Sequence, residues 1–228
     1  MDVNTDRHAV RVWDLPTRAF HWLLAATVVG SVVTAKIGGN AMVWHVRLGL
    51  LALALLAFRL VWGFVGGQWS RFASFLYAPS SVLAYLRGDA GPQGRYVVGH
   101  SPLGALSVFA LLLLLLAQVA TGLVADDEIA TTGPLNRFVE TALGLQATSW
   151  HKNYGQYLII ALVVLHIGAV LFYLFRKQRN LIGPMWHGDK ALAPGTPASA
   201  DGVRQRALAA VLIAAALGLS WAIARLGA

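Results

Sequence analysis

Seven histidines are the residues of this 228-residue chain best suited to chemistry, and four of them stand inside long apolar runs. An ionisable side chain within a membrane-length helix is costly, so such a residue marks a functional site. His21 lies five residues into a run that starts at Pro16, about 8 Å below its start, whereas His45 opens the next run. His151 opens a later run, and His166 follows it by fifteen residues, about 22 Å deeper and about 60° around the helix. The four sort into two levels, an outer pair (His45, His151) and an inner pair (His21, His166), each drawn from two helices. Two facing imidazoles at one level suit a heme iron. With no Cys in the chain and no Met at a matching position, the axial set is His/His. Iron held in this way has no open position for oxygen, so the expected chemistry is one-electron transfer.

Heme propionates need cations, and Arg holds a carboxylate better than Lys because its fork binds in two places. Arg59 follows His45 by fourteen residues, about 21 Å deeper and close to the inner level. It either holds a propionate there or snorkels to the interface. Arg47 and Lys152 adjoin the outer ligands and either hold the outer propionates or mark the membrane edge. His100, in VVGHSPLG, has no partner at its level. It either delivers protons to a quinone or bonds a loop carbonyl. His8 and His187 lie in polar flanks and are expected to be solvated.

The composition dictates what must position these residues. The chain is 57% hydrophobic and 12% charged, too oily for an ordinary soluble domain. Without cysteine, disulfides, iron–sulfur clusters, zinc ribbons and thiolate nucleophiles are excluded. The net charge of +8 comes from scattered Arg at the ends of apolar runs, with no basic helix or aromatic platform, so nucleic acid is not the partner.

Five runs reach the roughly 20 apolar residues that cross a bilayer: 16–35, 43–65, 103–124, 149–175 and 207–226. The expected fold is an all-α integral membrane protein, a four-helix heme-binding bundle plus a fifth C-terminal span. Residues 1–190 form the diheme domain, and 191–228 a linker and the extra helix. Asp14 and Ser101 are candidate N-caps, each followed by a proline in the first turn. The first span has no cleavage site behind it and is not read as a signal peptide.

Lys and Arg concentrate in alternate flanks. Arg7, Arg11 and Arg18, then Arg71, Arg87 and Arg95, then Arg176, Lys177, Arg179, Lys190, Arg204 and Arg206 face Lys36, Arg47, Arg137, Lys152 and Arg225 on the other side. This bias predicts a cytoplasmic N-terminus. The stretch from Gly183 to Gly202, rich in Pro, Gly and Ala, reads as a flexible linker. The outer segment from Asp126 to Trp150 either shows an acidic surface to a basic redox protein or is a solvated loop. Small residues of the fifth span (Ala209, Ala210, Ala214, Ala215, Ala216, Gly218) permit close packing against another subunit, a second copy included; the alternative is a lipid-facing helix.

Several stretches together carry a family resemblance: VWDLPTRAFHWLLA, WHVRLGLLALALLAFRLVWGFVG, GHSPLGALS, ADDEIATTGPL, WHKNYGQYLIIALVVLHIGAVL and LIGPMWHGDK. The chain resembles the bacterial cytochrome b561 family and the related b-type cytochrome subunit of nickel–iron hydrogenases, over about residues 10 to 190. The resemblance implies a four-helix core with two b hemes, His21 and His166 on the cytoplasmic-side heme and His45 and His151 on the periplasmic-side one. It also implies electron exchange between a quinone pool and a redox protein partner that the motifs do not fix. Two other readings stay open: a membrane-anchor subunit of a hydrogenase or other dehydrogenase, and a heme-free transporter or structural protein. The last predicts a colourless preparation.

Overall fold

The computed structural model describes residues 7–88, 96 and 98–227. Arg95, one of the counted flanking charges, lies outside them. A short strand β1 (His8–Arg11) leads into helix α1 (Leu15–Ile37). The Asp14 carboxylate caps that helix, accepting the Thr17 N–H at 2.8 Å. Gly38 and Gly39, both at positive φ, end it and admit a tight turn into α2 (Met42–Val65). Helix α3 (Pro79–Leu86) is short. Helix α4 (Pro102–Val124) starts as read from sequence, with Pro102 first and the Ser101 hydroxyl accepting the Gly104 N–H at 3.2 Å. Helix α5 (Thr141–Trp150), a π turn (His151–Gly155) and α6 (Gln156–Phe175) follow without a break. Then come α7 (Ile182–His187), strand β2 (Asp189–Leu192) and α8 (Val203–Leu226).

Five of these segments are long and apolar enough to cross a membrane. Large apolar side chains stand exposed along them, among them Phe64, Leu113, Val164, Leu165 and Val211. In water, so wide an apolar surface would drive aggregation; in lipid tails it is ordinary packing. The expected all-α membrane class therefore holds, with one small two-stranded sheet added.

The chain divides into two compact units, each discontinuous in sequence. The first comprises residues up to Ala19, Leu60–Phe109 and His166–Ala209. Here β1 pairs antiparallel with β2, and Val10, Val12, Trp13 and Leu192 form a core against Trp69, Val98 and Met185. The stretch expected to be a flexible linker is therefore built into the fold. It contains α7 and β2, Ser199 donates its hydroxyl to the Val12 carbonyl at 2.7 Å, and Asp201 accepts the Leu15 N–H at 3.0 Å. Arg11 bridges Asp189 at 2.6 Å and Asp201 at 2.5 Å, and Arg206 reaches Asp201 at 3.2 Å. Composition alone could not show this, because the partners lie nearly the whole chain away. Burial raises the Asp201 carboxyl, but its bonds from Arg206, the Leu15 N–H and Arg11 outweigh that and hold it below the usual range.

Deeper in this unit sits Asp14, with no exposed surface. Besides Thr17 it accepts from Trp62 Nε1 at 3.2 Å, the Gly67 N–H at 3.1 Å and the Ser70 hydroxyl at 2.6 Å. Gly67 is required, since a Cβ there would stand 2.5 Å from Asp14 Oδ2.

Lys190 donates to the Val98 carbonyl at 2.6 Å, and its Nζ lies 5.7 Å from the Trp13 ring centre. Burial, and after it the charge of Arg179, lower its pKa to about 8. The folded chain thus releases this proton at lower pH than the unfolded chain. Between about pH 8 and the ordinary lysine value the unfolded state binds more protons, so stability rises with pH. Thermal unfolding in detergent at stepped pH is expected to show a rise above pH 8 that Lys190→Met abolishes; equal pH slopes in the two chains would refute it.

The second unit comprises Phe20–Arg59, Ala110–Leu165 and Ala210–Ala228. α1 and α2 approach closely at Gly30, where a Cβ would meet Leu48 Cδ1 at 3.0 Å. α8 packs on α2 of its own chain: Ser220 donates to the Leu50 carbonyl at 2.7 Å, and Ala216 is buried. Part of the small-residue face expected to meet lipid or another subunit is therefore used within the chain. Val211, Leu219 and Trp221 remain outward. Arg137 closes the far end of α8 by donating to the Leu226 carbonyl at 3.2 Å.

Candidate heme site

His45 and His151 meet in the second unit, their ring centres 6.0 Å apart and their planes at 87°. His45 is carried by the first turn of α2, and its Nδ1 lies 2.9 Å from the Ser31 carbonyl of α1. Nδ1 of His151 lies 2.9 Å from the Gln118 carbonyl of α4 and 3.3 Å from the Thr121 hydroxyl. A carbonyl only accepts, so each Nδ1 carries a proton, and in the neutral ring Nε2 keeps its lone pair. That is the state of a metal-ligating histidine, with ring orientation and basicity set by the partner of its other nitrogen.

The pair fits a heme on three counts. Imidazole nitrogens stand about 2.0–2.1 Å from a bound metal, so two rings on opposite sides of one iron have centres about 6.3 Å apart. The observed spacing differs from this by a few tenths of an ångström. Among the described residues no group of three or more His, Cys, Asp or Glu is placed to hold a metal ion, whereas a heme iron, whose other ligands come from the porphyrin, needs only two from the protein. Finally, a Cβ at Gly122 would come within 2.9 Å of His151 Cε1, so the ring is seated where only glycine leaves room.

One expectation about His151 is corrected. It does not open its helix: the helix starts ten residues earlier, at Thr141, and His151 heads a π turn inside it. The mixed composition of TALGLQAT hid this, because no apolar run begins before Ser149. The turn just before His151 is pinned to the preceding segment, where Asp126 and Thr148 exchange two 2.8 Å hydrogen bonds. The π turn also takes up one extra residue, so the 100°-per-residue phase counted from His151 slips by about one residue beyond it.

The other expected site residues fall as follows. Arg47 is exposed and lies over the Trp44 ring at 4.9 Å, and Lys152 is exposed. Arg59 is buried, 3% exposed, so it does not snorkel to an interface. His21 lies on α1 in the second unit, edge-on to Trp22, and His166 lies on α6 in the first. The His100 ring packs on Trp13 at 4.7 Å and Phe75 at 4.4 Å, and its carbonyl accepts the Tyr77 hydroxyl. His8 is an exposed residue of β1, and the exposed His187 accepts the Asp189 N–H. The acidic outer segment is ordered: Asp127 accepts the N–H groups of Ile129, Ala130 and Thr131. Burial pushes the Asp127 carboxyl up, and these donors outweigh it to hold it below the usual range.

Sequence reasoning missed Ser31, Gln118, Thr121 and Gly122. The available signal was Gln118, an amide in the otherwise apolar LLLLLLAQVA.

Five membrane-length helices, two of them bringing imidazoles together, are what a membrane-bound b-type cytochrome requires. The sequence profile of prokaryotic cytochrome b561 matches residues 12–188, and the chain belongs to that family. It is similar to the probable Ni/Fe-hydrogenase 1 B-type cytochrome subunit of Escherichia coli, at 24% identity over 211 residues, covering 78% of this chain and 88% of that protein. It is likewise similar to the probable Ni/Fe-hydrogenase B-type cytochrome subunit of Bradyrhizobium diazoefficiens (24% identity; 81% and 87% covered). The corresponding protein of Rhizobium leguminosarum matches at 22% identity, with 81% and 90% covered. No solved structure matches the chain. Family membership sets aside the heme-free transporter reading.

Proposed function

We propose that this protein is a diheme cytochrome b that moves single electrons across a bacterial inner membrane, between a quinone pool and a redox protein partner. The observation that carries the reading is the His45–His151 pair, two imidazoles with both Nδ1 protons held by backbone carbonyls. His45 and His151 hold the outer heme, with Arg47 and Lys152 beside its propionates. His21 and His166 hold the inner heme, with the buried Arg59 as a propionate cation. The Lys and Arg bias of the flanks supports a cytoplasmic N-terminus. Heme b, when bound, supplies a one-electron ferric/ferrous couple. The chain's part would be to fix tautomer and ring plane through Ser31 and Gln118, to supply imidazoles that would leave oxygen no open position on the iron, and to bury the site among apolar helices. On the cytoplasmic side His100 is the titratable residue assigned to quinone protonation, its ring held by Trp13 and Phe75.

The names of the relatives favour a second reading in which the same cytochrome is the membrane anchor of a hydrogenase-type dehydrogenase. Co-purification of a large metalloprotein separates it from the first. The test common to both is a reduced-minus-oxidised optical spectrum of the detergent-purified chain with pyridine-hemochrome quantification. Two low-spin b hemes per chain are expected; a single heme would remove the inner site, and no Soret band would overturn the reading.

A further inference from the structure

Gln118 grips His151 from two directions. Its backbone carbonyl accepts the Nδ1 proton of the ring at 2.9 Å, and its side-chain Nε2 donates to the backbone carbonyl of the same histidine at 3.1 Å. In an α-helix the His151 carbonyl would pair four residues on; here it accepts the Gln156 N–H, five residues on, and has a second lone pair open to α4. Gly155 completes the fit, because a Cβ there would collide with Gln118 Oε1 and with the Trp150 ring.

The amide is an expensive way to fill this space. Gln118 Oε1 is buried and has no hydrogen-bond partner among the described residues, a cost that leucine or methionine would not incur. What the amide adds is the Nε2 bond, which fixes the backbone of His151 relative to the carbonyl that holds its ring.

We propose that Gln118 is a positioning residue for the outer heme: its two-way grip on His151 fixes ring plane and Nδ1 hydrogen bond together, and so sets the ligand's basicity and the potential of that heme. The inference rests on His45 and His151 being the axial pair. A firm Nδ1–H···O=C bond makes imidazole a stronger donor and favours ferric iron. Releasing the grip weakens the bond and raises the potential. The 87° between the ring planes has its own signature, because crossed axial planes give a strongly anisotropic low-spin ferric signal displaced to low field.

The test is Gln118→Met in the full-length, heme-loaded protein, which keeps length and volume but removes the donor. Redox titration is expected to shift the outer heme's ferric/ferrous equilibrium about tenfold toward ferrous, about 59 mV for one electron, with the inner heme unmoved. Electron paramagnetic resonance is expected to show the low-field signal collapsing toward an ordinary rhombic one. Should Gln118→Met fail to accumulate, Gln118→Asn keeps the donor but shortens its reach, and the same displacement is expected. Wild-type potential and low-field signal in the variant would overturn the inference, as would a wild-type chain showing only rhombic signals. His151→Ala retaining both hemes would instead overturn the axial assignment itself.

Discussion

Replacing His151 by alanine is expected to halve the heme content, from the two low-spin b hemes per chain proposed for the wild type to one. His45 and His151 are the two imidazoles that the described residues of the second unit bring together here, and on the proposed scheme His45 alone would leave an axial position open. The backbone needs no rearrangement, since the Gln118 carbonyl stays in its helix and the lost ring leaves a cavity beside Gly122. His45→Ala is expected to give the same spectrum for the same reason. His21→Ala and His166→Ala are expected to remove the other heme, so that a redox titration loses one of two steps in each case and a different one for the two pairs. Retention of both steps after a substitution would remove that residue from the ligand set.

Asp14→Ala is expected to act on heme content as a whole, through the fold. The carboxylate is fully buried and accepts four hydrogen bonds, from Thr17, Trp62, Gly67 and Ser70. Each donor stranded without water costs about 1–3 kcal/mol, and breaking a buried charged network typically costs about 3–5 kcal/mol. Against a total stability of roughly 5–15 kcal/mol, the variant is expected to accumulate poorly and to unfold many degrees below the wild type. Asp14→Asn keeps the shape but turns an NH₂ toward donors, and is expected to be nearly as harmful. Because the damage is to the scaffold, any chain recovered should carry both hemes or neither, in contrast to His151→Ala. A wild-type melting temperature for Asp14→Ala would show that the network contributes nothing.

The spans were legible in sequence because lipid thickness sets their length. The second and third boundaries agree with the helices to within a residue, and the eighth helix starts only four residues before its apolar run. Capping chemistry at Asp14 and Ser101 is equally local, and both caps were legible. That His45 and His151 would come together was readable because each opens an apolar run, although the ten helical residues before His151 were not. What stayed hidden depends on distant partners. Nothing near Asp14 in the chain announces Trp62 or Ser70, and nothing in residues 183–202 announces a strand whose mate is His8–Arg11. The π turn was hidden for another reason: periodicity is read at 3.6 residues per turn, and one added residue falls within the tolerance of that pattern.

The pairing of β1 with β2 also fixes an order of events during synthesis. Arg11 is made early and Asp189, its register partner, 178 residues later. At translation rates of about 5–20 residues per second, the first strand waits on the order of 10–35 s for its mate. During that interval Val10, Val12 and Trp13 have no core to enter, and four membrane-length helices must be delivered to the bilayer. The sheet therefore closes only on a chain whose first four membrane-length segments have all been made, and a ribosome that stalls before residue 189 leaves a product with Val10, Val12 and Trp13 uncovered, the kind of surface by which quality-control proteases recognise unfinished proteins.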